Sequence, residues 1–178
     1  MAFDTWLVYG LALQYVTNDD PERSMQTYFR QRYVLIEECK TLGFDPDLPA
    51  TLSELTGSQV TEMFQSIDLE LRTRLDTREP RLGEIYRVGT WLGQALVAAA
   101  GAQVATPEQV VQLFDPVISR YDEAARNLRL LESRKEIHTE FAAIHQAIVQ
   151  LKNKRVVSRD DYSQMADKIP ALVEKILN

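Results

Sequence analysis

Apolar residues recur along this chain at spacings of three and four, the period of an amphipathic helix, and no stretch alternates convincingly with the period of two that marks a strand. Val60, Phe64, Ile67, Leu71 and Leu75 form one such stripe, on a helix starting near Ser58. Trp6–Val16 and Val88–Ala100 are apolar nearly all round, so the helices that contain them, about 3–17 and 81–100, read as central and buried. Between them a helix runs from Pro21 to about Leu42, with Asp20 as N-cap, Met25, Phe29, Ile36 and Cys39 facing inward, Tyr28, Leu35 and Leu42 flanking, and Gly43 as its end. Residues 43–52 carry two prolines and predict an irregular connection pinned by Phe44 and Leu48.

The second half is richer in periodic signal. Thr106, Pro107 and Gln109 make a capping-box start. Val110, Phe114, Val117, Tyr121, Ala124, Leu128 and Leu131 then follow a heptad seam. Ile137, Phe141, Ile144, Ile148 and Leu151 form a second seam, rotated from the first by about 120° at 3.6 residues per turn. The phase slip predicts a break near Glu132–Arg134. Pro116 and Pro170 lie inside helical patterns, where each is expected to kink or restart its helix. The last helix starts at Ser158, with Asp161 completing an approximate capping box. The expected fold is all-α, a single domain over 1–178 built as one bundle of six or seven helices.

Thr90-Trp91-Leu92 repeats Thr5-Trp6-Leu7, and Leu96, Pro107-Glu108, Gln112 and Phe114 then fall near Leu11, Pro21-Glu22, Gln26 and Tyr28. Two readings stand. Either the chain is an internally duplicated pair of helical hairpins, with halves 1–80 and 85–178 whose leading helices pack on each other. Or buried helices followed by Pro-Glu helix starts have converged. Gly89 and Gly93, four apart, suit a close helix approach.

The chain has 178 residues, 45% apolar and 26% charged, with a net charge of −6. That size supports a real core. The acidic balance argues against general nucleic-acid binding, which needs clustered cations. The one basic run, Lys152-Asn153-Lys154-Arg155, reads as a solvated helix end. Trp6–Val16 is too short to span a bilayer of about 20 helical residues and lacks a signal-peptide charge pattern. Cys39 is the only cysteine, so no disulfide framework exists, and a cytoplasmic protein with Cys39 as a small buried hydrophobe is expected.

Catalytic chemistry finds little purchase. His138 and His145 lie seven apart, about 10 Å along a helix, and match neither HExxH nor a Glu-x-x-His pair, so no metal and no cofactor is expected. The acidic candidates are Glu37, Glu38, Asp45 and Asp47, with Asp68 and Glu70 apart from them; adjacent Glu37 and Glu38 point about 100° from each other and cannot both face one ion. The arginine-rich stretch 72–87 is more suggestive. On a continuous helix Arg74, Arg78 and Arg81 would share one side and meet an anionic partner, and as surface residues they should contribute little stability. The leading expectation is a non-enzymatic protein–protein interaction module, an adaptor, assembly factor or regulator, with a homodimer through one heptad seam. The alternative is an all-α enzyme or a small-molecule or nucleotide-binding protein using the carboxylates near 37–47 or the arginines of 72–87.

Overall fold

The computed structural model describes residues 1–17, 21–52, 54–154 and 156–177. The fold is all-α, with eight helices and no strand among the described residues. They are α1 (Ala2–Thr17), α2 (Pro21–Lys40), α3 (Gly57–Arg78), α4 (Pro80–Ala102), α5 (Pro107–Ser119), α6 (Tyr121–Leu131), α7 (Lys135–Lys152) and α8 (Arg159–Leu177). No helix among the described residues is long and apolar enough to cross a membrane. The chain divides into two compact units, Met1–Tyr86 and Arg87–Asn178, so the division falls inside α4.

In the first unit α1 packs on α2 and α3. The α3 stripe is buried as its spacing demands: Val60, Phe64, Ile67, Leu71 and Leu75 all face the core. Thr56 caps α3 through a full capping box with Gln59, a device that satisfies two of the orphan amides at a helix start. The end of α2 is a Schellman turn. Gly43 sits at φ +69°, the Phe44 N–H donates to the Cys39 carbonyl at 3.1 Å, and the Gly43 N–H donates to the Lys40 carbonyl at 2.9 Å. The connection that follows is held from α2: the Tyr28 hydroxyl donates to the Pro49 carbonyl at 3.1 Å, and both Arg32 Nε and Nη2 donate to the Leu48 carbonyl. Leu48 and Leu52 are buried under it, and Phe44 packs at the core edge. Asp20, expected as the N-cap of α2, and the Met25 side chain lie outside the described residues.

In the second unit α5, α6 and α7 pack on one another and α8 packs on α7. Apart from Tyr121 and Leu131, which are half-buried, both heptad seams are buried. Neither is left free, so the premise for a seam-mediated homodimer is not met. The long helical pattern breaks twice rather than once, which raises the count to eight. One break is the expected one, with Glu132 in extended backbone after α6. The other, at Arg120 (φ −93°, ψ −2°), lies just past Pro116. Proline removes one rung of the hydrogen-bond ladder, and α5 ends within a turn of it. Pro170, by contrast, does not restart its helix; α8 runs through it. Thr106 caps α5 with Gln109 as expected, and Ser158 and Asp161 exchange backbone and side-chain bonds at the start of α8. Gly93 is buried and Gly89 half-buried, and at Gly101 an added Cβ would meet Leu113 Cδ1 at 3.3 Å.

Candidate interaction surface

The helix α2 carries more apolar residues than one face can bury. Tyr28, Phe29, Tyr33, Val34, Leu35, Ile36 and Cys39 surround it, whereas a core-facing stripe is about 100° wide. Packing against α1 resolves the competition. Tyr28, Leu35 and Cys39 take the core positions, at 1%, 0% and 0% exposure, and Ile36 packs half-buried beside them. Phe29, expected on the inward face, turns outward at 38% exposure, with Tyr33 at 64% and Val34 at 40%. Residues four apart on a helix are surface neighbours, so Phe29 and Tyr33 form one exposed stripe, while Val34 lies about 100° further round the helix, next to Arg30. Leu69, Val104, Val111, Leu130 and Val156 are exposed elsewhere, as apolar residues commonly are on a folded surface.

The rim of this stripe is polar. Arg30 is exposed beside Phe29 and Val34, with no partner among the described residues, and Lys40 pairs with Glu37 at 2.8 Å. At the C-terminal end of α2 two arginines reach across from α3. Arg78 Nη1 donates to the Thr41 carbonyl at 3.2 Å, and Arg74 Nη1 donates to the carbonyls of Leu42 and Gly43 at 3.4 and 3.2 Å. The Arg74 guanidinium also lies 5.4 Å from the centroid of the Phe44 ring and bonds Glu70 through Nε at 2.5 Å. A helix end exposes unpaired carbonyls with partial negative charge, and guanidinium donors meet both needs. Arg81 does not join them. Helix α3 stops at Arg78, Glu79 is extended, and Arg81 is exposed in the first turn of α4. The continuous helix that would align Arg74, Arg78 and Arg81 is therefore interrupted, and two of the three have intramolecular work.

The carboxylate candidates are likewise dispersed. Glu37 pairs with Lys40, and Glu38 Oε2 lies 3.0 Å from the Met1 amino group. Asp45 and Asp47 are exposed on the connection. Asp68 belongs to a half-buried polar network: Arg72 Nη2 lies 2.9 Å from its Oδ2, and the Tyr86 hydroxyl donates to its Oδ1 at 2.9 Å. Burial, before the neighbouring Asp68 charge, pushes the Tyr86 phenol far up. Burial also raises the Tyr28 phenol to about 12 and the Cys39 thiol to about 11. A thiol held so far above neutrality is not a nucleophile.

In the second unit His138 Nε2 lies 2.7 Å from the Glu132 carbonyl, while His145 stacks on Tyr121. No three His, Cys, Asp or Glu side chains among the described residues cluster in a way that could hold a metal ion. Within the basic run, Lys152 pairs with Asp115 and Lys154 with Asp161; Arg155 lies outside the described residues.

Sequence reasoning missed Tyr33 and Val34 and misplaced Phe29. The signal was present as surplus: a helix with seven apolar residues on several faces must leave some outside. Which ones stay out depends on the rotation that α1 imposes. Comparisons with protein-family models, with curated proteins and with solved structures found no match.

Proposed function

We propose that this chain is a helical protein–protein interaction module that receives a partner segment on the outer face of α2. The observation that carries the reading is the exposure of Phe29 and Tyr33, four apart on one side of α2, with Val34 exposed further round the same helix. Aromatic residues and arginine are the usual anchors of interfaces. The charge around the stripe selects the partner. Arg30, Lys40 and Arg78 bring positive charge to the rim of the stripe, offset in part by Glu37 and Asp45 beside Lys40, on a chain whose net charge is −6. An amphipathic helix with acidic flanks complements this face; a basic one does not. In the same reading the chain is a non-enzymatic adaptor, assembly factor or regulator of the cytoplasm, with Cys39 kept reduced and buried. The engagement of Glu37, Glu38 and Asp68 in ion pairs favours structural over catalytic roles for them.

Selection of displayed random peptides on the immobilised full chain tests this. Acidic sequences with apolar residues at helical spacing should be enriched. The double variant Phe29→Ala, Tyr33→Glu should bind them at least about tenfold less, a loss of roughly 1.4 kcal/mol. The single Tyr33→Glu, at a side chain 64% exposed, should lose binding while its melt stays close to that of the parent, which separates lost binding from the packing that Phe29 makes with Tyr28. Equal binding by parent and variant, or no enrichment, would sink the proposal. Binding to anionic vesicles that depends on the same residues would replace the protein partner with a lipid surface.

A further inference from the structure

The chain has two histidines, and the structure holds them in opposite settings. At His138 the Glu132 carbonyl accepts a bond from Nε2 at 2.7 Å. His145, about two turns further along α7, is different. Its Nε2 is buried with no hydrogen-bond partner among the described residues. Its ring lies flat on Tyr121, with 3.8 Å between centroids and 7° between planes, and Trp91 is 6.4 Å away. A neutral imidazole protonated at Nδ1 suits this place, because only a lone pair then faces the buried side. An imidazolium carries N–H at both nitrogens, whichever tautomer it came from, so it buries a donor and a charge without an acceptor.

The groups around His145 offset that cost only in part: the faces of Tyr121 and Trp91 attract a cation, and the Asp122 carboxylate pulls the same way. From α6 it faces Tyr121 and feels Asp122; from α4 it faces Trp91, which has no charge. On α7 itself the neighbouring positions are Phe141, Ala142, Ile148 and Val149. Arg129, which acts on Tyr121, is itself a cation. Burial outweighs the favourable pull of Asp122 and holds His145 below the ordinary histidine range.

We infer that the Tyr121–His145 stack is an acid-sensitive latch between α6 and α7, closed around the neutral imidazole and opened by its protonation. The position of Tyr121 makes opening local. It is the first residue of α6, directly after the break at Arg120, and no side chain caps the helix there. Opening parts the Tyr121 ring from His145 and from the Trp91 and Phe141 rings it also touches, and admits water to Nε2 while Leu128, deep in the seam, stays in place.

The test uses the full chain between about pH 7.5 and 5.5, the window in which ordinary histidines titrate. Ring resonances of His145 should titrate below the ordinary value of about 6.5. After correction for intrinsic rates, amide exchange over residues 121–125 should accelerate at least about tenfold relative to residues 148–151, a local opening rather than global unfolding. His145→Phe keeps a flat ring and should abolish the acceleration; His138→Gln should leave it intact. A His145 that titrates at or above the ordinary value overturns the latch without any variant. So does undiminished acceleration in His145→Phe, or a rise in exchange shared equally by the two segments.

Discussion

Arg74 and Arg78, as surface arginines, would be expected to matter little for stability; their contacts predict the reverse. The perturbation is the double variant Arg74→Ala, Arg78→Ala. The exposed Arg74–Glu70 pair, four apart on α3, contributes about 0.3–0.5 kcal/mol. The guanidinium against Phe44 adds about 0.5–1 kcal/mol. Bonds from a charged donor to a carbonyl are nominally worth about 1.5–3 kcal/mol. Those to Thr41, Leu42 and Gly43 are long, at 3.2 to 3.4 Å, and lie at a wet rim, where water can replace them. About 0.5 kcal/mol for each arginine is the fair share, which brings the total to about 2 kcal/mol. At 2–4 °C per kcal/mol for a chain of this size, the melt should fall by about 4–8 °C. Thermal denaturation followed by circular dichroism reads this directly. In about 1 M salt the Glu70 part is screened away from parent and variant alike, so most of the difference should remain. Arg81→Ala is the control. A cation in the first turn of a helix opposes the macrodipole, so its removal should be neutral or slightly stabilising. A double variant that melts within about 1 °C of the parent, or one matched by Arg81→Ala, would show that the arginines do not hold the end of α2.

Two further outcomes follow from the titratable groups. Cys39 is fully buried, with its thiol raised to about 11 by burial, so a thiol reagent at pH 8 should label it only as fast as the chain opens; prompt stoichiometric labelling of the native protein would contradict its placement. Glu132, bonded by Arg134 through Nε, Nη2 and the backbone N–H, is lowered from 4.5 to about 2. A depressed carboxylate stabilises the fold above its unfolded pKa, and that contribution is lost as the pH falls through about 4.5 toward 2. Glu132→Gln should therefore flatten the acid limb of the stability profile in this window, and an unchanged limb would refute the assignment.

Local chemistry made most of the helical layout legible in the sequence. The starts at Thr106 and Ser158, the end at Gly43, the stripe of α3 and both heptad seams depend on side chains and backbone within a turn or two of each other. Such interactions are written into consecutive residues, and tertiary packing had no reason to override them. The break after α5 was half legible: Pro116 announced a disturbance, but the downstream position at Arg120 was decided in the folded chain.

The surface was legible only in part, because it depends on rotation and on distant partners. Seven apolar residues around α2 state that some must face water. That Phe29, Tyr33 and Val34 are the ones follows from docking Tyr28, Leu35 and Cys39 against the core. Arg74 and Arg78 stood out in the sequence as unattached charge. Their acceptors, the carbonyls of residues 41–43, lie more than thirty positions away and exist as acceptors only because the end of one helix leaves carbonyls unpaired. The two histidines look alike in sequence, and only packing gives one of them a carbonyl and leaves the other with a buried, unpartnered nitrogen. Periodicity and capping determined which segments are helices. The competition of side chains for a limited core, and the pairing of polar groups stranded by it, decided which residues remain available to anything outside the chain.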